Sequence, residues 1–229
     1  MRSNNARRLV QQLERAGVGG VCMEDKLFPK TNSFVNSETQ VLADKIEFGL
    51  KIKACKDAQR DKDFMVVARL ESFITGLGLE DAVERANVYR DHGADAILCH
   101  SKIGDSSDIE AFMNRWQDKK GDCPIIIVPT TYPSVPVQDF EDMGVSTVIW
   151  ANHSLRASIG AMQKVCKTIF EERSILSTEN DGASGDVVSV KEIFRLQRQG
   201  ALSEDEGKYL PSEAASTRTY TEDHYLRKK

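Results

Sequence analysis

Ionisable side chains follow three successive apolar runs of the sequence. Glu24 comes directly after VGGVCM, Arg69 after FMVVA and His100 after ADAILC. Each run is typical of a buried strand, and in parallel α/β folds the chemistry collects beyond the carboxyl ends of the strands. A guanidinium and an imidazole together favour a phosphoryl or carboxylate ligand, while a carboxylate suits a divalent cation, directly or through water. The alternative is that these polar residues only mark where the chain leaves the core.

The loop after the first of these runs carries further candidates. It reads EDKLFPKTNSFVNS from Glu24 onward, with cations at Lys26 and Lys30 and hydrogen-bonding groups at Asn32 and Ser33. A charged loop that follows a strand can close over an anion and exclude water from it. The pattern therefore predicts a lid, and a solvated surface loop is the alternative.

The apolar runs alternate with amphipathic segments over most of the chain. The pattern predicts strands at Val18–Met23, Phe64–Ala68, Ala94–Cys99, Pro124–Val128 and Val145–Trp150. It predicts helices at Asn4–Ala16, Thr39–Gln59, Leu79–His92, Ser107–Asp118, Val137–Met143, Leu155–Arg173 and Val190–Arg198. In the second helix the periodicity places these residues inward: Val41, Ile46, Leu50, Ile52 and Cys55.

This order of strands and helices predicts an α/β fold with a parallel sheet and right-handed crossovers. A closed (β/α)₈ barrel needs eight strands, so the five predicted here favour either part of a barrel or an open, doubly wound sheet. We expect a partial barrel over residues 1–178, a linker and helical extension over 179–211, and a disordered tail over 212–229.

Composition narrows the class of protein. The chain has 229 residues and a net charge of −4, so a strongly basic face for nucleic acid is not expected. No apolar run approaches the roughly 20 residues that span a bilayer, and MRSNNARRLV lacks the apolar segment of a secretory signal. Five cysteines without a CxxC pair favour free thiols in the reducing cytosol. We therefore expect a cytoplasmic protein that binds neither nucleic acid nor membrane.

The loop resembles a family signature. EDKLFPKTNS is similar to the EDKxxPKxNS gating-loop pattern of phosphoenolpyruvate mutases, which belong to the isocitrate lyase superfamily. Further similar segments follow in order along the chain: VARLES, GADAILCHSK, DIEAFM, IIIVPTTY, MGVSTVIWANHSLRAS and VSVKEIFRLQR. The resemblance extends from about Asn5 to Pro211 and so covers most of the sequence.

The resemblance implies a TIM-type barrel whose C-terminal helix is exchanged between subunits of a dimer or tetramer. It implies interconversion of phosphoenolpyruvate and phosphonopyruvate in phosphonate biosynthesis, with Mg²⁺ as cofactor. It assigns Lys30, Asn32, Arg69 and His100 to catalysis, with Asn32, Ser33, Arg69 and His100 binding substrate. Glu24 matches an acidic residue that reaches the Mg²⁺ through water.

The resemblance also leaves alternatives. Family members carry magnesium-binding aspartates after earlier strands, so we expect this chain to correspond to the last five repeats and to be inactive alone. A phosphonopyruvate hydrolase is the first alternative, although its loop replaces the asparagine that Asn32 matches. A non-catalytic paralogue that acts through subunit association is the second. Lyase relatives use a cysteine within a KxCGH-like loop, and PKTNS has none.

Overall fold

The computed structural model describes residues 3–117, 123–179 and 187–210. Its strands are Gly20–Glu24 (β1), Met65–Leu70 (β2), Ala96–Cys99 (β3), Ile125–Ile127 (β4) and Thr147–Val148 (β5). Its α-helices are Ser3–Arg15 (α1), Lys45–Ala58 (α2), Ser72–Thr75 (α3), Gly78–Asp91 (α4), Ser107–Gln117 (α5), Val137–Asp142 (α6), His153–Glu172 (α7), Leu176–Glu179 (α8), Val190–Leu196 (α9) and Gln199–Tyr209 (α10). The chain divides into two compact units, the first ending at Asn152 and the second beginning at His153.

The described residues of the first unit form a five-stranded parallel sheet. Within the described residues its strands pair in the order β1-β2-β3-β4-β5, so each strand lies beside its neighbour in sequence. A doubly wound sheet reverses its strand order at a switch point, whereas a barrel adds its strands in sequence. The structure therefore confirms the α/β fold of five barrel-type units and excludes the doubly wound alternative.

The register of the sheet sets the position of the candidate site. Glu24 at the end of β1 lies opposite Arg69 in β2, and Leu70 lies opposite Cys99 at the end of β3. All four residues of β3 are buried, and the core around the sheet contains Ile52 from α2 and Tyr89 from α4. Because the strands run in parallel, the residues after β1, β2 and β3 emerge at one edge of the sheet.

The second helix begins later than the periodicity predicts. The predicted start at Thr39 is wrong, because Ser37–Thr39 forms a 3₁₀ turn and Leu42 forms a β-bridge with Lys26. The helix starts at Lys45, and the side chain of Asp44 accepts hydrogen bonds from the backbone amides of Ile46 and Glu47. An N-cap aspartate satisfies amide groups that have no partner inside the helix.

Three of the five inward positions predicted for that helix are wrong. Val41, Ile46 and Leu50 are 63%, 48% and 51% exposed, whereas Ile52 and Cys55 are buried as predicted. Val41 precedes the helix altogether. The buried face is instead completed by the Phe48 ring, which packs 4.8 Å from the ring of Tyr89.

The described residues of the second unit form helices α7 to α10. α7 contains no buried residue, and α9 confirms the predicted helix near Val190. α10 was not predicted, because QGALSEDEGKY is mostly polar and has no apolar face. The domain boundaries predicted above stay predictions, and residues 180–186 and 211–229 lie outside the described part of the chain. Among the described residues, no helix has both the length and the apolar character that crossing a membrane requires.

Candidate active site

Glu71 connects the candidate residues at the carboxyl edge of the sheet. This carboxylate directly follows β2 and has no exposed surface. It accepts hydrogen bonds from Ser33 Oγ at 2.6 Å and Arg69 Nε at 2.5 Å, and its Oε1 lies 2.9 Å from Nδ1 of His100. Lys26 Nζ lies 3.5 Å from the other oxygen. Three of the predicted site residues, Ser33, Arg69 and His100, therefore meet at a residue that was not predicted.

The partners of Glu71 keep it ionised. Burial would raise its pKa, but the hydrogen bond and charge of His100, the charge of Arg69 and the hydroxyl of Ser33 outweigh burial and lower the pKa to about 2. A buried carboxylate with this set of donors is charged at neutral pH. It therefore balances part of the positive charge that the site collects.

The loop is folded onto this cluster through Lys26 and Ser33. Both residues are buried, and Lys26 Nζ donates to Ser33 Oγ at 3.1 Å and to the carbonyl of Thr31 at 2.8 Å. Arg69 Nη2 also lies 3.0 Å from Ser33 Oγ. The ring of Phe34 meets the ring of His100 edge-on, with centroids 5.6 Å apart. The loop is thus fixed over the strand ends, the position that a lid requires.

Lys30 and Glu24 adjoin the cluster on the β1 side. Lys30 Nζ donates to the backbone carbonyl of Glu24 at 2.7 Å and lies 3.7 Å from its carboxylate. Burial lowers the pKa of Lys30, and the charge of Glu24 opposes that effect. Glu24, Lys26 and Lys30 bound a cavity of about 240 Å³, but Arg69 and His100 do not line it.

The structure does not bring the Asn32 side chain to the cluster. Its Oδ1 accepts a hydrogen bond from the backbone amide of Phe34 at 2.9 Å, and its carbonyl accepts one from Gln40 Nε2 at 2.8 Å. This is a local turn that an asparagine forms with the amide two residues on. A role for the Oδ1 of Asn32 in substrate binding therefore requires this turn to open.

A second buried cluster lies behind the first. Asp25, directly after β1, has no exposed surface and accepts hydrogen bonds from Tyr89 Oη at 2.6 Å and Arg85 Nη1 at 3.3 Å. The backbone amide of Glu71 donates to its other oxygen at 3.1 Å. Burial raises the pKa of Asp25 to about 6, against the hydrogen bond of Tyr89 and the charge of Arg85. Asp25 is part of the EDK motif, but its buried partners could not be predicted.

The described residues do not form a magnesium site by themselves. The resemblance places Glu24 near Mg²⁺, and its carboxylate oxygens lie 3.6–3.7 Å from nitrogens of Lys26, Lys30 and Arg69. Mg²⁺ prefers octahedral oxygen ligands, including one or two carboxylates. In residues 3–117, 123–179 and 187–210, no group of three or more His, Cys, Asp or Glu side chains could hold a metal ion. A contact of Glu24 with Mg²⁺ through water stays a prediction from the resemblance.

Strands added in sequence, with a loop, a guanidinium and an imidazole at their carboxyl ends, define a parallel α/β barrel protein. The family model described as phosphoenolpyruvate phosphomutase matches residues 1–170. The chain therefore belongs to the phosphoenolpyruvate phosphomutase family.

All five cysteines are free thiols, as the sequence predicts.

Similar proteins agree with this family. The phosphoenolpyruvate phosphomutase of Tetrahymena pyriformis is 52% identical over 207 residues, which cover 90% of this chain and 66% of the relative. The crystal structure of phosphoenolpyruvate phosphomutase from Streptomyces platensis subsp. rosaceus matches with a TM-score of 0.85 at 37% identity, covering 92% of this chain and 70% of that one. A structure of phosphonopyruvate hydrolase in complex with oxalate and Mg²⁺ matches with a TM-score of 0.80 at 38% identity, again covering 92% of this chain and 70% of that one. The chain thus spans slightly less than two thirds of the Tetrahymena relative.

Proposed function

We propose that these residues serve the interconversion of phosphoenolpyruvate and phosphonopyruvate. The observation that carries the proposal is the cluster of Ser33, Arg69 and His100 on Glu71, beneath a loop that bears Lys30. A ligand at this edge would meet a guanidinium, an imidazole and a nearby ammonium group, which suit a phosphoryl group and a carboxylate. The 52% identity to the Tetrahymena phosphomutase supports the same reaction.

The chemistry of phosphoryl transfer fits this set of side chains. A loose, metaphosphate-like transition state requires positioning and charge stabilisation more than an acid or a base. In this proposal Arg69 and His100 hold the phosphoryl group while it moves between oxygen and carbon. Lys30 and Asn32 close on the substrate with the loop, and the closed loop keeps water from trapping the transferred group.

Mg²⁺ belongs to the proposal as a cofactor, with Glu24 reaching it through water. When bound, a magnesium ion supplies charge stabilisation to the oxygens of the pyruvate unit. The relative with a bound Mg²⁺ supports this cofactor, although that protein is a phosphonopyruvate hydrolase. We assign no step to the metal, because the described residues provide no site for it.

Phosphonopyruvate hydrolysis is the second candidate function. The structure of the hydrolase matches this chain with a TM-score of 0.80, close to the value for the phosphomutase. Asn32 favours the mutase, because the resemblance places a different residue there in hydrolases. The two reactions differ in whether water reaches the phosphoryl group, so their products separate them.

We further propose a cytoplasmic homo-oligomer that exchanges its C-terminal helix. Exposed apolar side chains in α7 support this, since Leu155, Met162 and Phe170 are 62%, 58% and 74% exposed. Apolar surface of this kind is typical of a protein interface. Light scattering on the purified chain should give a dimer or tetramer mass, and a monomer at micromolar concentration would contradict the proposal.

Phosphorus NMR tests the reaction directly. The purified 229-residue chain is incubated with Mg²⁺ and phosphonopyruvate, and the products are followed over time. Phosphoenolpyruvate supports the mutase, whereas phosphate with pyruvate supports the hydrolase. No turnover would agree with the expectation from the sequence that this chain is inactive alone. In that case, a chimera tests whether the site residues serve the reaction.

The chimera replaces the matched region of the Tetrahymena phosphomutase with the matched residues of this chain. If the site residues serve the mutase, the chimera forms phosphoenolpyruvate. A folded chimera that forms only phosphate and pyruvate would identify the residues as those of a hydrolase. A folded but inactive chimera, beside an active parent, would contradict both candidate functions and favour a non-catalytic paralogue.

A further inference from the structure

The ring of His100 makes two contacts that cannot both be hydrogen bonds. Its Nδ1 lies 2.9 Å from Oε1 of Glu71 and 2.9 Å from Nη2 of Arg69. A ring nitrogen carries either a proton or a lone pair, a guanidinium only donates, and an ionised carboxylate only accepts. If Nδ1 carries the proton it bonds to Glu71, and if it carries the lone pair it bonds to Arg69. The geometry therefore requires a choice of tautomer.

The surrounding groups favour the tautomer in which Nδ1 carries the proton and donates it to Glu71. Arg69 Nη2 has another acceptor in Ser33 Oγ at 3.0 Å, so it does not depend on the ring. A lone pair on Nδ1 would face a carboxylate charge at 2.9 Å with the ring 3% exposed and little water to intervene. A proton on Nδ1 converts that repulsion into a charge-assisted hydrogen bond.

We propose that Glu71 is a positioning residue that holds His100 in its Nδ1–H form and leaves Nε2 to meet the ligand. In the described residues, no hydrogen bond engages Nε2 of this ring, whereas Nδ1 lies 2.9 Å from both Arg69 Nη2 and Glu71 Oε1. This inference rests on the proposed function only for the nature of the ligand. The neutral ring then presents a lone pair at Nε2 toward the ligand, and it can donate to a phosphoryl oxygen only when Nε2 also carries a proton.

The chain contains its own reference for this tautomer. Nδ1 of His92 lies 2.7 Å from the backbone carbonyl of Val88. A carbonyl only accepts, so the proton of the neutral His92 ring is on Nδ1. Glu24 provides a matched control carboxylate, because it lies 3.6 Å from Arg69 Nε and has no hydrogen bond to the ring.

Nitrogen-15 NMR of the full chain with labelled histidine tests the proposal. Among the four histidines, the His100 signals are those lost in the His100→Asn variant and the His92 signals are those lost in His92→Asn. Two-bond proton–nitrogen couplings then identify the protonated nitrogen of each neutral ring. We expect His100 to match His92, with Nδ1 protonated. The Glu71→Gln variant should show a measurable Nε2–H population, because a side-chain amide can donate to Nδ1, whereas Glu24→Gln should match the unmodified chain.

The unmodified chain decides the outcome even if Glu71→Gln does not fold. A neutral His100 ring with its proton on Nε2 would overturn the proposal, as would a folded Glu71→Gln variant with an unchanged tautomer. The spectra are recorded without substrate, so the result stands whether or not the chain turns over phosphonopyruvate. Failure of the proposed reaction and failure of this inference are therefore separate observations.

Discussion

Asp25 and Glu71 occupy equivalent places in neighbouring repeats, yet their carboxylates behave in opposite ways. Each directly follows a strand, each has no exposed surface, and the amide of Glu71 donates to Asp25 at 3.1 Å. The pKa of Asp25 is raised to about 6, whereas that of Glu71 is lowered to about 2. Burial acts in the same direction on both, so the partners cause the difference.

The partners of Glu71 belong to the proposed ligand site, whereas the partners of Asp25 belong to the helices that pack behind it. Glu71 holds Arg69, His100 and Ser33, which are three of the groups proposed to meet the substrate. Asp25 holds Tyr89 and Arg85 of α4, and Arg85 also donates to the carbonyl of Ala43 before α2. One carboxylate therefore organises the site, and the other fixes the helices behind it to the sheet.

The largest expected effect is on stability when Asp25 is removed. In Asp25→Ala, Arg85 and Tyr89 lose a buried acceptor, and the cost of breaking such a pair is about 3–5 kcal/mol. Urea unfolding followed by the fluorescence of buried Trp116 measures the loss. Asp81→Ala is the matched control, because this second partner of Arg85 is 25% exposed and should cost less. Equal losses would contradict the support role of Asp25.

The pH dependence of stability should differ in sign between the two carboxylates. The lowered pKa of Glu71 contributes about 3 kcal/mol that is present above its usual value of 4.5 and is lost as the pH falls toward 2. The raised pKa of Asp25 has the opposite effect, since stability present below its usual value of 3.8 is lost as the pH rises through about 6.

Unfolding free energies of Glu71→Gln and Asp25→Asn, measured from pH 2 to pH 7, test these two signs. The cost of Glu71→Gln should grow between about pH 2 and 4.5, because the ionised carboxylate is what the substitution removes. The cost of Asp25→Asn should shrink between about pH 4 and 6. Parallel curves for the two variants would show that the carboxylates do not differ.

A smaller effect is expected where the loop meets Glu71. Ser33→Ala removes the hydroxyl that donates to Glu71 and accepts from Lys26, and losing a hydrogen bond to a charged group costs about 1.5–3 kcal/mol. Hydrogen exchange of the loop amides should become faster in the variant. Thr39→Ala removes an exposed hydroxyl bonded to Asn36 and should stay within about 0.5 kcal/mol. Unchanged exchange in Ser33→Ala would show that the loop is held elsewhere.

The sequence predicts the strands and the side chains that follow them, but it does not predict the partners of the two buried carboxylates. The apolar runs indicate the strands, and the residues after them include Arg69 and His100, because side chains at the ends of parallel strands converge. Glu71 is visible in VARLES as a second charge behind a strand, but its partner Ser33 lies 38 residues away. Tyr89 is 64 residues from Asp25, and its sequence position in an amphipathic helix indicates only that it is buried.

Local side-chain hydrogen bonds explain the late start of the second helix and the position of the Asn32 side chain. The helix predicted from Thr39 is shortened because Asp44 caps it and the preceding residues pair with the loop. Asn32 has the right type for a substrate ligand, but its side chain forms a turn with the Phe34 amide. Both outcomes depend on side-chain hydrogen bonds to nearby backbone, which apolar periodicity does not report.

Binding of phosphonopyruvate in the presence of Mg²⁺ most directly tests whether Glu71 organises the proposed substrate site while Asp25 only holds the helices behind it. Titration calorimetry is performed at neutral pH on the unmodified chain and on folded Glu71→Gln and Asp25→Asn variants. We expect Glu71→Gln to weaken binding about tenfold or more, equivalent to at least about 1.4 kcal/mol, while Asp25→Asn stays within about twofold. Equal losses in both variants, or a larger loss in Asp25→Asn, would contradict it.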